Sequence, residues 1–161
     1  MQHLYAPWRD EYIKNSIEGC PFCHIVAHPE EDLDNHVLYQ DEFCFVVMNL
    51  YPYTPGHFMV IPNCHIDNLE NLDSKVWLHI SLIVQKCVGM LKTELNAMGV
   101  NIGMNLGKSA GAGIAEHIHY HLVPRWERDT NFITTIGDAR VYSSDFEEIF
   151  KKLKSNISKY L

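Results

Sequence analysis

The sequence predicts an α+β fold in a single domain spanning residues 1–161. Two long stretches carry apolar residues at helical spacing, and five short ones are rich in β-branched and aromatic residues. Their order is strands, helix, strands, helix. Tight turns between the strands favour antiparallel pairing, because parallel strands need long crossovers.

Residues 1–18 read as a polar-aromatic arm, helical near Asp10 to Ile17. Cys20 to Cys23 follows Gly19 and reads as a turn. Val37–Tyr39 and Cys44–Asn49 read as two strands around the turn residues Asp41 and Glu42. Tyr51 to Gly56 holds two prolines and a glycine and reads as a loop. Phe58–Ile61 is the third strand, stopped by Pro62. Asp73 to Met98 is the clearest helix, with Asp73 as N-cap and Gly99 where a C-cap glycine belongs. Val76, Ile80, Ile83, Val84, Cys87, Leu91 and Leu95 mark its core face. Trp77, Leu78 and Leu82 widen its apolar surface beyond one stripe, as a dimer element would. Asn101–Leu106 is a fourth strand, Gly107 to Gly113 a glycine-rich loop, and His117–Val123 a fifth strand. A second amphipathic helix runs from Ser144 to about Tyr160, with Ser144 and Glu147 as a capping box. Its buried stripe is Phe146, Ile149, Phe150, Leu153 and Ile157.

Composition narrows the function. The chain is 47% hydrophobic and 20% charged, an ordinary balance for a soluble globular protein. No segment approaches a membrane span, and MQHLYAPWRDEYI lacks the basic start and apolar core of a secretory signal, so a cytoplasmic location is expected. A net charge of -7 suits neither nucleic-acid wrapping nor a membrane surface, but it does not bar a small phosphorylated substrate. Five cysteines, an odd number, suggest reduced thiols or metal ligands.

The chemistry concentrates in HIHYHLVPRW, His117 to Trp126. Side chains alternate along a strand, so His117, His119 and His121 share one face and Ile118, Tyr120 and Leu122 the other. Buried imidazoles each need a partner, which makes such a row costly as structure alone. Three readings stay open: an exposed strand face, a metal held by all three rings, or a nucleophilic ring served by its neighbours. Neutral imidazole is a competent nucleophile, and phosphorus is its natural target. The preceding run MNLGKSAGAGIAEH can present backbone N–H groups to phosphate oxygens, although an ordinary hairpin loop looks the same. Cys20-Pro-Phe-Cys23 reads equally as a redox pair, a zinc half-site or chance.

His117-x-His119-x-His121, together with PGHFMVIPNCHI from Pro55 to Ile66, resembles the histidine triad (HIT) family of nucleotide hydrolases and transferases. LYAPWRDEYI, NLYPYTPGH and HLVPRWERDTNFITTIG extend the likeness to the diadenosine tetraphosphate phosphorylase branch. The resemblance implies a five-stranded antiparallel sheet with a long central helix and a C-terminal helix, and a homodimer joining two sheets. It implies that His119 attacks the α-phosphorus, that His121 contacts phosphate oxygens and that His57 supports the rings. Phe45, Asn49 and Leu50 would border base and ribose; Asn105, Gly107, Gly111 and Gly113 would hold phosphates, with Lys108 or Arg125 assisting. Trp126 would lie close to the nucleotide. Cys20, Cys23, His65 and His117 would hold a structural zinc, with no organic cofactor. The implied substrate is an adenine nucleotide or dinucleoside polyphosphate, with inorganic phosphate or water as acceptor. One departure stands out: Gly113 and Ile114 occupy positions where the family usually carries a glutamine and a serine or threonine that assist the leaving group.

Overall fold

A computed structural model describes residues 19–127, 129, 131–137 and 144–161. The arm over 1–18 lies outside these. The elements are α1 (Pro21–Ala27), β1 (Val37–Gln40), β2 (Cys44–Met48), β3 (Phe58–Pro62), α2 (Ser74–Glu94), β4 (Gly99–Gly103), β5 (Tyr120–Arg125), α3 (Phe132–Ile136) and α4 (Phe146–Asn156). The sheet has five strands in the order β1-β2-β3-β5-β4, each antiparallel to its neighbours. The predicted α+β class holds.

Burial explains why β2 and β3 read as unbroken apolar runs: both faces of each strand are covered. On one face, Val46, Met48, Phe58, Val60 and Leu122 pack against Ile80, Ile83, Cys87 and Leu91 of α2 and Phe150 and Leu153 of α4. On the other, Phe45, Val47, Met59 and Ile61 meet Phe22 and Ile25 of α1. At the β1 edge, the Lys154 ammonium donates to the Val37 and Leu38 carbonyl oxygens at 2.8 and 3.2 Å. Among the described residues no strand pairs beyond β4.

Five boundaries differ from the sequence reading, each for a local reason. Cys20 to Cys23 is not a turn but the start of α1; Cys20 is the N-cap and Pro21 opens the helix, where its missing N–H costs nothing. The long helix begins after Asp73, whose carboxylate accepts from the Lys75 and Val76 N–H groups, but it ends at Glu94. Asn96, at φ 52°, supplies the left-handed residue there, and Gly99 opens β4 instead of capping the helix. The fourth strand therefore lies earlier than predicted. Asp145, not Ser144, caps α4, accepting from the Glu148 N–H. The fifth strand's ladder starts at Tyr120, after two of the histidines. Pro62, the last residue of β3, has no N–H to extend the pairing with β5, and its carbonyl accepts from the His117 ring at 2.9 Å. The expected alternation survives, since Ile118 and Leu122 lie in the helix-side core. The five-residue helix α3 was not expected; its N-cap is Asn131.

Candidate active site and metal centre

Cross-strand register builds the site. Met59 and Gly103 stand directly opposite His121, so His121 shares a sheet face with Phe45, Val47, Met59 and Ile61. The α1 helix covers only the β2–β3 half of that face. The imidazoles lie at the border between its covered and open halves.

Backbone partners fix which nitrogen of each ring carries the proton. A carbonyl oxygen only accepts, so His119 must donate Nδ1–H to the His117 carbonyl at 2.8 Å, leaving the Nε2 lone pair free to attack. A backbone N–H only donates, so His57 Nδ1 accepts from Tyr53 N–H at 3.1 Å. His57 Nε2–H then donates to His121 Nδ1 at 3.0 Å. The proton of His121 must therefore sit on Nε2, which is buried with no partner among the described residues. A lone pair on one ring and an N–H on the next, with ring centres 4.9 Å apart, are what attack on a phosphate requires.

The loop that aims the Tyr53 N–H is itself pinned. The Thr54 hydroxyl donates to the Pro124 carbonyl oxygen at 2.9 Å, and the His57 N–H to the Thr54 carbonyl oxygen. Gly56, at φ 79°, turns the chain into His57 where a Cβ would collide with Leu95. This gives the glycine of PGH a physical reason.

Burial holds the rings neutral. It pushes His57 down to about 3, helped by His121 and His119 nearby, and His121 to about 4, helped by His119. Burial also lowers His119 and His117. The unfolded chain binds protons on His57 and His121 near pH 6.5, the folded one only near 3 and near 4. Stability is therefore full above about pH 6.5 and falls as pH drops through 6.5 toward 4 and 3. His57 and His121 should each remove on the order of 2 kcal/mol by pH 5. Urea unfolding at pH 7.5 and 5 should show that loss, and His57→Gln should flatten the slope. A slope unchanged in the variant contradicts the assignment.

Four further donors converge beside His119. Cys20 Sγ lies 3.4 Å from His117 Nδ1, and Cys23 Sγ lies 3.7 Å from that nitrogen and 3.2 Å from His65 Nδ1. Zinc bonds of about 2.0–2.3 Å in a tetrahedron place neighbouring ligand atoms roughly 3.3–3.8 Å apart, so the set fits that ion. The His117 proton sits on Nε2, held by Pro62, which leaves Nδ1 as the ligand atom. Burial raises the Cys23 thiol, and Cys20 beside it adds to the rise. Phe22, between the two cysteines, touches His117 and His119 with ring centres at 5.4 and 5.3 Å. Sequence reasoning missed Phe22; its one signal was an aromatic inside a ligand pair.

The remaining predicted residues divide. Asn49 Nδ2 lies 3.4 Å from His57 Nε2, and its Oδ1 accepts the Tyr51 N–H. Leu50 follows it, exposed. Phe45 has no exposed surface and reaches the site through Phe22, at 6.3 Å. Asn105 lines a cleft with His121. Gly107 and Gly111, both at positive φ, bracket a turn over Lys108–Ala110; Gly113, exposed, follows in the same loop. Trp126 donates its indole N–H to the Leu95 carbonyl oxygen and packs on the helix-side core, outside the histidine cluster of its own chain. A second group, Asp41, Cys44 and His79, is a hydrogen-bonded turn: Asp41 accepts from Phe43 N–H, Cys44 N–H, Tyr39 and His79.

Comparison with known proteins agrees with this fold. The HIT domain family profile matches residues 30–128. A protein of Mycobacterium tuberculosis named AP-4-A phosphorylase is 36% identical over 151 residues, covering 88% of this chain and 76% of that protein. The crystal structure of a Zn-bound histidine triad family protein from Mycobacterium smegmatis superposes with a TM-score of 0.71 at 29% identity, covering 88% of this chain and 94% of that one. A hypothetical histidine triad nucleotide-binding protein from Sulfolobus tokodaii gives 0.69 at 28% identity, covering 87% and 93%.

Proposed function

Because this chain belongs to the HIT domain family, we propose that it is an enzyme transferring or hydrolysing the nucleotidyl group of dinucleoside polyphosphates, through a covalent nucleotide on His119. The carrying observation is the fixed tautomer pair: an unprotonated Nε2 on His119 beside an Nε2–H on His121.

His119 Nε2 attacks the α-phosphorus, and the bridging oxygen leaves with its electron pair. The imidazolium that forms keeps its Nδ1–H on the His117 carbonyl, which stabilises the developing charge. His121 Nε2–H donates to a phosphate oxygen. His57 and the Tyr53 N–H hold His121 in that role; they orient it without touching substrate. Base and ribose lie toward Asn49, Leu50 and Phe45, with loop N–H groups around Asn105 to Gly113 on the phosphates. Cys20, Cys23, His65 and His117 would hold zinc, which when bound fixes the backbone carrying the nucleophile.

Phosphate is the preferred acceptor in this reading, supported by the 36% likeness to AP-4-A phosphorylase. Diadenosine tetraphosphate then yields ATP and ADP. Gly113 and Ile114 replace the usual leaving-group assistants, and a polyphosphate arm, leaving as a stabilised anion, has little need of them. Chromatography of products with and without inorganic phosphate tests this. ADP should appear only with phosphate; AMP formed at the same rate in both would favour the water-using hydrolase. No turnover of any nucleotide would favour a binding module. A homodimer joined at β4 is part of the same reading, supported by the outer edge of that strand, unpaired among the described residues, and by exposed Leu78 and Leu82 on α2. No described helix is long and apolar enough to cross a membrane.

A further inference from the structure

Thr54 is unlike its neighbours in the loop. Tyr53 beside it is exposed, yet Thr54 itself keeps only 1% of its surface open. Threonine is usually an outside residue, and loops run over the surface. A buried hydroxyl is costly unless it is bonded, and this one is. It donates to the Pro124 carbonyl oxygen at 2.9 Å, and Pro124 belongs to β5, the strand that carries His121.

Two more bonds make that contact matter. The Thr54 carbonyl oxygen accepts from the His57 N–H, and the Tyr53 N–H donates to His57 Nδ1, both at 3.1 Å. Tyr53 and Thr54 together therefore grip the backbone and the ring of His57. The Thr54 hydroxyl ties that grip to β5. Gly56 rests the same turn against Leu95, Pro124 and Ile149. Apolar contact of that kind fixes where the loop sits, but it has no direction. A hydrogen bond does, so the Thr54 hydroxyl also sets how the neighbouring peptides are turned.

We infer that Thr54 is a positioning residue for the reaction: by tying the Tyr53–Thr54 segment to β5 it keeps the Tyr53 N–H on His57 Nδ1, and so makes His121 a donor toward the substrate. This rests on the function proposed above. Which nitrogen of a neutral imidazole carries the proton is set by the bond the other nitrogen makes. Turn the Tyr53 N–H away, and the opposite order becomes available. His57 then carries Nδ1–H, its bare Nε2 accepts from a His121 Nδ1–H, and His121 faces the substrate with a lone pair. No charge is gained or lost, and the bond between the rings, now 3.0 Å, persists in either order. The choice between the two falls to the Tyr53 N–H. A lone pair facing a phosphate oxygen repels it where an N–H would bind it, so the reversed order removes the help that His121 gives as charge develops.

Thr54→Val in the full chain keeps the bulk and removes the donor. Its kcat on diadenosine tetraphosphate should fall about tenfold, with KM changed about twofold or less. Thr54→Ser, which keeps the hydroxyl, should recover most of that loss. Imidazole nitrogen NMR on the substrate-free protein reads the proton order without any turnover. Wild type should show a bare Nδ1 on both His57 and His121, and Thr54→Val should show the reversed order in a large share of molecules. Wild-type order in a folded Thr54→Val protein would overturn the positioning role, whatever its turnover. A reversed order with full kcat would overturn it too. Thr54→Ala serves the same reading where valine does not fold; if neither variant folds, the residue is structural and the inference falls. Turnover surviving His119→Ala would instead overturn the proposed function, and the spectra would still decide what Thr54 holds in place.

Discussion

His119→Ala should reduce turnover of diadenosine tetraphosphate by roughly a thousandfold or more, with KM changed far less. The His117 carbonyl holds the His119 Nδ1–H, which leaves its Nε2 lone pair for attack beside a ring whose Nε2–H has no partner among the described residues. His121 cannot replace it: the Tyr53–His57 chain commits its lone pair inward. Stability should drop little, because His119 sits at the border of the smaller apolar cluster and not between the helices and the sheet. The check is steady-state kinetics beside urea unfolding on the same protein. A folded variant retaining a tenth or so of wild-type kcat would contradict the nucleophile assignment.

Replacing Cys20 or Cys23 with serine should abolish zinc binding and lower the melting temperature by roughly 10 °C or more. The four donors come from three separate parts of the chain: the start of α1, the segment after β3 and the segment before β5. An ion held there would tie these three segments together, and its loss should exceed that of one hydrogen bond. Activity should fall as well, since His117 carries the carbonyl that holds His119 and Phe22 packs on both rings. Equimolar zinc by elemental analysis, lost in the variants, is the expected result. Protein purified without chelators that holds no zinc, with serine variants as stable as wild type, would leave the cysteines as an unmetallated thiol pair.

Much of this was legible in the sequence. The period-two histidines needed only strand alternation, and that alternation held although the hydrogen-bonded ladder begins three residues later than expected. Asp73 and the α2 stripe were equally readable, since a cap followed by helical spacing is a local signal. The errors lie where one residue competes with another nearby. Asn96 in a left-handed conformation ended α2 before the more conspicuous Gly99, and Asp145 took the cap from Ser144. Seven residues of α1 are too few for periodicity to register, so its Pro-Phe-Cys opening looked like a turn. The site's proton order was not legible at all. It depends on main-chain groups of Tyr53, Pro62 and His117, which any side chain would present equally in the sequence.

The most direct measurement is a rapid quench of the enzyme with diadenosine tetraphosphate in alkaline denaturant, where a phosphoramidate survives, followed by peptide mass analysis. The expected result is an added AMP on the peptide spanning His117 to His121, localised to His119 and discharged as ADP when phosphate is supplied before the quench. Turnover proceeding with no adduct at any quench time, or with the nucleotide on another residue, would contradict the account.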